Sequence, residues 1–196
     1  MQPFHLTGDA LWERMDRAVE QVRQRLERAT AALEAAGVPY AIVGGNAVRA
    51  WVAQADEAAV RNTRDVDLMI RRDDLLATKA ALEASGFVYR HVKSVDLFLD
   101  GPKAKPRDAI HLVFAGEKVR PEHPYPAPEV EEVEQVERHR TLRLEPLVRM
   151  KLNSFRPKDQ MHLLDMIEVG LIDASWSDRL PPELAARLNE VLQQAE

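Results

Sequence analysis

Two aspartates one residue apart, Asp65 and Asp67, lie in "TRDVDLMI". The run around them is rich in β-branched and aliphatic residues, so it reads as a strand. Residues two apart in a strand project to one face. Both carboxylates can therefore converge on one or two divalent cations. Hard oxygen donors suit Mg²⁺ or Mn²⁺. The plainer alternative is a solvent-facing pair on an edge strand. Two like charges on one face repel, so a cation, or Arg61 and Arg64 nearby, must offset them. Val66 and Leu68 would face the core.

The second candidate is the glycine pair Gly44 and Gly45 in "YAIVGGNAVRAWV". Glycine permits positive φ and leaves no side chain in the way. The helix that follows begins with free N–H groups carrying partial positive charge, which suits a phosphate oxygen. The alternative is a tight turn into a close-packed helix. A third cluster is "RMKLNSFRPKDQMHLLD", with Lys151, Arg156 and Lys158 around Pro157. In it Asp159, His162 and Asp165 recur at steps of three and share much of one helix face.

The elements that must position these groups follow from periodicity. Leu11, Met15, Val19, Val22, Leu26, Ala29 and Leu33 recur at steps of three and four, so residues 9–36 read as one long helix. Its stripe would pack on the body, or serve a homodimer or a cognate partner protein. "YAIV" reads as a short buried strand and "NAVRAWVAQA" as a helix. Residues 71–86 read as a helix, "FVYRHVKSVDLFLDG" as two short strands, and "AIHLVF" as another strand. The Pro-rich "RPEHPYPAPE" breaks regular structure and reads as a linker or a lid near the cleft. "VERHRTLRL" is read as one strand, followed by three helices. Met150, Met161 and Met166 read as core, and Trp12, Trp51 and Trp176 as core or lobe contacts.

The chain has 196 residues, 45% hydrophobic and 30% charged, with no cysteine. That length can bury a core without staples. Disulfides, thiolate metal sites and a Cys nucleophile are excluded. The N-terminus lacks the pattern of a secretory signal and no apolar run reaches spanning length, so a cytoplasmic protein without membrane contact is expected. The net charge is −5, which argues against general affinity for nucleic acid. "RNTRDVDLMIRR" nevertheless carries four arginines beside its two aspartates.

Taken together, strand, GG, helix and a strand bearing T-x-D-x-D resemble the nucleotidyltransferase superfamily related to DNA polymerase β, over roughly residues 38–115. More narrowly the chain is similar to small bacterial stand-alone members, including AbiEii-type toxins of toxin–antitoxin systems. The resemblance implies an α+β fold: a mixed sheet flanked by helices, with a long N-terminal helix and a helical C-terminal lobe. With the element pattern read above, four segments are expected: residues 1–37 as the packing helix, 38–120 as the head domain, 121–140 as a Pro-rich and acidic linker, and 141–196 as the helical lobe. The implied activity is transfer of a nucleoside monophosphate from an NTP to an RNA, protein or small-molecule acceptor with Mg²⁺ or Mn²⁺. By this resemblance Asp65 and Asp67 hold metal and act in catalysis, while Gly44, Gly45, Asn46, Arg64 and Lys151 bind nucleotide. Asp159 or Asp165 would match a later acidic position.

One departure stands out. Where the family has a third carboxylate, in an apolar-Asp-apolar setting, this sequence has His111. Asp108 and Asp96 are neighbouring candidates. A neutral imidazole can accept a proton near pH 7, but is a poorer ligand for Mg²⁺ than for Mn²⁺. Two outcomes follow: altered metal use with His111 as a catalytic group, or a catalytically impaired binding or antitoxin-like protein. A buried strand histidine bonded to a neighbour is the plain alternative.

Overall fold

The computed structural model describes residues 8–105 and 108–195. Helix α1 runs Gly8–Ala35, strand β1 Ala41–Val43 and helix α2 Gly44–Ala55. Strand β2 is Val66–Ile70, helix α3 Leu75–Ala84, β3 Val88–Val92, β4 Val95–Leu99 and β5 Ile110–Phe114. Strands β6, Val133–Val136, and β7, His139–Leu142, precede helices α4 Leu144–Ser154, α5 Pro157–Glu168 and α6 Pro182–Ala195. The seven strands form one mixed sheet in the order β3-β4-β5-β2-β1-β7-β6. This is the α+β architecture that the sequence predicts.

Strand β2 lies at the centre of the sheet, antiparallel to β1 and parallel to β5. Val66, Leu68, Met69 and Ile70 are fully buried, which explains the nearly unbroken apolar run after Asp65. Only Asp67 interrupts it, and its register partners are Val43 at the end of β1 and His111 on β5. Helix α2 sets its packing face against the sheet through Ala47, Val48, Trp51 and Val52. The Trp51 indole N–H donates to the Leu142 carbonyl at 3.0 Å, so the ring fixes α2 to the end of β7.

Several expectations need correction. The stretch read as one strand is a hairpin, β6 and β7, turning through Glu137 at φ +55°. Segment 121–140, expected as a linker, thus carries β6 and the start of β7, and β7 joins the sheet beside β1. The two adjacent polar residues of β6, Glu134 and Gln135, hide the period-two pattern. The α1 stripe splits: Leu26, Ala29 and Leu33 are buried, but Leu11, Met15 and Val19 are exposed, as is Trp12, expected to be core. Met161 is also exposed, whereas Met166 is fully buried. No helix among the described residues is long and apolar enough to cross a membrane.

Candidate active site

The space around Gly44 shows why no side chain is tolerated there. Gly44 has φ +67°, and a Cβ built on it would overlap the Asp67 carboxylate. A Cβ on Gly45 would lie 2.9 Å from Thr63 Oγ1. The glycines let the N-terminus of α2 come down directly on the strand that carries the aspartates. Thr63 fills the space beside Gly45, and among the described residues its Oγ1 has no hydrogen-bond partner. Gly44→Ala must meet both a left-handed φ and the Asp67 carboxylate. It should cost about 2–4 kcal/mol in urea unfolding and displace Asp67. A variant as stable as the parent would contradict this packing.

Asn46, expected to bind nucleotide, is instead a clip. Its side chain is buried and Nδ2 donates to the Asp65 carbonyl at 2.7 Å. This ties the start of α2 to the residue that precedes β2. Arg64 is exposed. Neither residue is among those lining the cleft described next.

A cleft of about 760 Å³ opens over this corner. Gly44, Gly45, Asp65, Asp67 and His111 line one side, and Lys151, Arg156, Lys158, Asp159 and His162 the other. The two glycines and the two aspartates thus open on one shared cavity. The outer wall comes from Lys118, Val119, Arg120, Glu122, His123 and Ala127. The Pro-rich stretch is therefore part of the cleft. It is clamped to α4: Asn153 Nδ2 donates to the Tyr125 carbonyl at 2.7 Å, and Tyr125 N–H donates to Asn153 Oδ1 at 3.1 Å.

Most charges of the cleft are arranged in pairs. Lys151 and Asp159 are both buried and stand 3.2 Å apart. Burial would raise the Asp159 carboxyl, but Arg156, Lys151 and Ser154 outweigh it and hold it down at about 2. Burial pushes the Lys151 ammonium down, opposed by Asp159 and Asp67. Lys158 Nζ lies 3.2 Å from Asp65 Oδ2. Burial pushes the Asp67 carboxyl up, and Asp65 adds to that; Lys151, His111 and Lys158 act against it. The repulsion between the aspartates is thus offset by groups from α4, α5 and β5. Arg61, expected to help, pairs instead with buried Asp165 at 2.7 Å. Of the two candidates for the later acidic position, Asp159 lines the cleft and Asp165 does not.

His111 Nδ1 lies 3.8 Å from Asp67 Oδ1, too long for a hydrogen bond but in electrostatic reach. It pairs with Leu97 on β4, so Asp96 falls on the opposite face of the sheet. Asp96 is spent there on the Tyr89 hydroxyl and His91 Nδ1. His162 Nδ1 is buried, without a hydrogen-bond partner among the described residues. Burial, then Lys151 and Lys158, push its imidazole down to about 4. It is neutral at pH 7.

That shift has a consequence for stability. The unfolded chain protonates His162 near pH 6.5, whereas the folded chain does so only near pH 4. Between these values the unfolded state binds the extra proton, so stability falls as pH falls through this window. After screening, the loss should be on the order of 1–2 kcal/mol. His162→Gln should lose less stability than the parent between pH 7 and pH 4.5 in chemical denaturation. Equal losses would mean that the ring is solvated.

Among the described residues no group of three His, Cys, Asp or Glu side chains is placed to hold a metal ion. The donors present are the two carboxylates of Asp65 and Asp67. They fit a hard divalent cation as part of its shell, with phosphate oxygens and water as the remaining ligands. The signal for the glycines, the aspartates, His111 and Lys151 was in the sequence. Lys158 as the partner of Asp65 was not foreseeable, because 93 positions separate the two.

A family model described as "Uncharacterised nucleotidyltransferase" matches residues 9–156. No curated protein matches the sequence. Among solved structures, the antibiotic-resistance factor ANT(2'')-Ia is similar at 15% identity and a TM-score of 0.47, over 90% of this chain and 85% of that one. JHP933 from Helicobacter pylori is similar at 14% identity and a TM-score of 0.42, over 91% and 93%. These are distant likenesses, and nothing about substrate rests on them. The family match runs from α1 through the glycine turn, both aspartates, His111, Lys151 and Arg156, and on that ground the chain belongs to the uncharacterised nucleotidyltransferase family.

Proposed function

We propose that the protein transfers a nucleoside monophosphate from an NTP to a hydroxyl acceptor on an RNA, a protein or a small molecule. The observation that supports this most is the meeting of the α2 N-terminus, Asp65 and Asp67 in one cleft, with Lys151 facing them. The amides of α2 and the ammonium of Lys151 would hold the β and γ phosphates. A divalent cation, Mg²⁺ or Mn²⁺, held by Asp65 and Asp67 would neutralise charge on the triphosphate. The acceptor oxygen attacks the α-phosphorus, and the bond to the β-phosphate oxygen breaks, releasing pyrophosphate. The proton of the acceptor passes to the imidazole of His111, and the Asp67 carboxylate beside it stabilises the imidazolium. His162, neutral and one helical turn from Lys158, would orient the nucleotide. On this reading residues 38–120 act as the head and 141–196 supply the opposing wall.

A second reading is supported by His111 standing in register with Asp67 where a third carboxylate would serve a second cation. It is a nucleotidyltransferase-fold protein that binds without turnover, an antitoxin-like partner. The experiment offers labelled ATP, GTP, CTP and UTP with Mg²⁺ or Mn²⁺ to total tRNA, cell-lysate protein and lysate metabolites. Label transferred to an acceptor supports the first reading, and transfer to RNA or protein fits a toxin–antitoxin setting. A thermal shift with nucleotide but no labelled product assigns the second. No shift with any nucleotide and cation would overturn both.

A further inference from the structure

The two cleft lysines are held in opposite ways. Lys151 is sealed in the protein at 5% exposure, against an Asp159 that is 1% exposed. Lys158 keeps 51% of its side-chain surface exposed, and its partner Asp65 keeps 35%. Separating a buried pair leaves an uncompensated charge, which is strongly unfavourable. An exposed pair contributes little, and its flexible stem can swing. The backbone of Lys158 does not share that freedom. It lies in the first turn of α5, between Pro157 and the buried Asp159, whose carboxylate accepts from the Arg156 backbone and guanidinium.

We propose that Lys158 is an exchangeable counterion. It occupies Asp65 in the free protein, and passes to the triphosphate of the nucleotide when a divalent cation takes Asp65. The inference rests on the nucleotidyltransferase reading above. An ammonium and a divalent cation compete for the same carboxylate. A cation arriving alone must displace Lys158 with no new anion to receive it. A nucleotide arriving alone draws Lys158 away and leaves Asp65 uncompensated beside Asp67. Arriving together, they satisfy both groups. Cation and nucleotide therefore strengthen each other's binding, by the same factor in both directions. Lys151, locked on Asp159, cannot make this exchange and stays as the fixed phosphate contact.

The test compares the parent protein with Lys158→Met and Lys158→Arg. Mn²⁺ is titrated and its free fraction read by electron paramagnetic resonance. The titration is done alone and with the α,β-methylene analogue of each of the four NTPs, correcting for the Mn²⁺–analogue complex. Analogue binding without Mn²⁺ is read by calorimetry. Lys158→Met should bind Mn²⁺ alone up to about fivefold more tightly than the parent. Its coupling between Mn²⁺ and analogue should fall by about fivefold or more. Lys158→Arg keeps the charge and should keep the coupling. Mn²⁺ affinity that is unchanged or weaker in Lys158→Met, or coupling that survives it, overturns the exchange while leaving the nucleotide site in place. A parent protein that binds neither Mn²⁺ nor analogue removes the nucleotidyltransferase reading, and this inference with it.

Discussion

Asp67→Asn should lower turnover by about 10³-fold while leaving the fold as stable as the parent or slightly more stable. The two halves of this expectation have one cause. The carboxylate sits at the centre of the sheet under the start of α2, where burial and Asp65 disfavour its charge. Asparagine has nearly the same shape and removes that charge, so the folded state loses little. The reacting end of the cleft loses its central anion. A preorganised charged group aimed at developing charge is worth about 10²–10³ in rate by itself. Rate with whichever acceptor takes up label in the nucleotide-transfer experiment, and melting temperature, are measured on the same preparation. Full turnover in Asp67→Asn and in Asp65→Asn would remove the proposed chemistry. Lost turnover with a collapsed melting temperature would point to a structural carboxylate.

The second large effect concerns Asp159, which should matter more for stability than any other charged residue of the cleft. Its carboxylate serves Lys151, Arg156 and Ser154 at once. Asp159→Ala leaves the Lys151 ammonium buried without its nearest anion. Breaking a buried pair from one side costs about 3–5 kcal/mol, which in a chain of this size lowers the melting temperature by roughly 6–20 °C. The sign of the pH dependence is specific. Burial already pushes the Lys151 ammonium down, and loss of Asp159 pushes it further. In the variant the unfolded lysine holds its proton up to about pH 10, while the folded one releases it earlier. The variant should therefore gain stability as pH rises from 7 towards 10. Lys151→Met added to Asp159→Ala should recover much of the loss. A variant that is insensitive to pH in this range, or that is not rescued by the methionine, would mean that water reaches Lys151 despite its burial.

How far the sequence foretells this molecule depends on the range of the interaction. The glycine pair, the alternation at Asp65 and Asp67, and the helical periods of α2, α4, α5 and α6 are local patterns, and all reappear in the structure. His111 was legible only through the resemblance, which expects a carboxylate at its place, and strand β5 does carry it in register with Asp67. The failures are of another kind. Nothing near Asp65 indicates that its partner is Lys158, or that Arg61 turns away to Asp165. Asn46 follows the glycines as a nucleotide contact would, yet its amide is taken by a carbonyl 19 positions on. The apolar stripe of α1 has the right period throughout, but period alone does not say how much of a helix the body reaches. It reaches Leu26, Ala29 and Leu33 and leaves Leu11 and Met15 outside.

The pairing of charges in the cleft also bears on how a ligand arrives. Arg72 is closed on Glu117, Lys158 on Asp65, and Lys151 and Arg156 share Asp159. Around them is a chain with a net charge of −5. Such a surface casts little attractive field towards an approaching polyanion, so diffusional steering contributes little to capture. Association should proceed at an unassisted rate and depend only weakly on ionic strength, with discrimination exercised after contact and not during the approach.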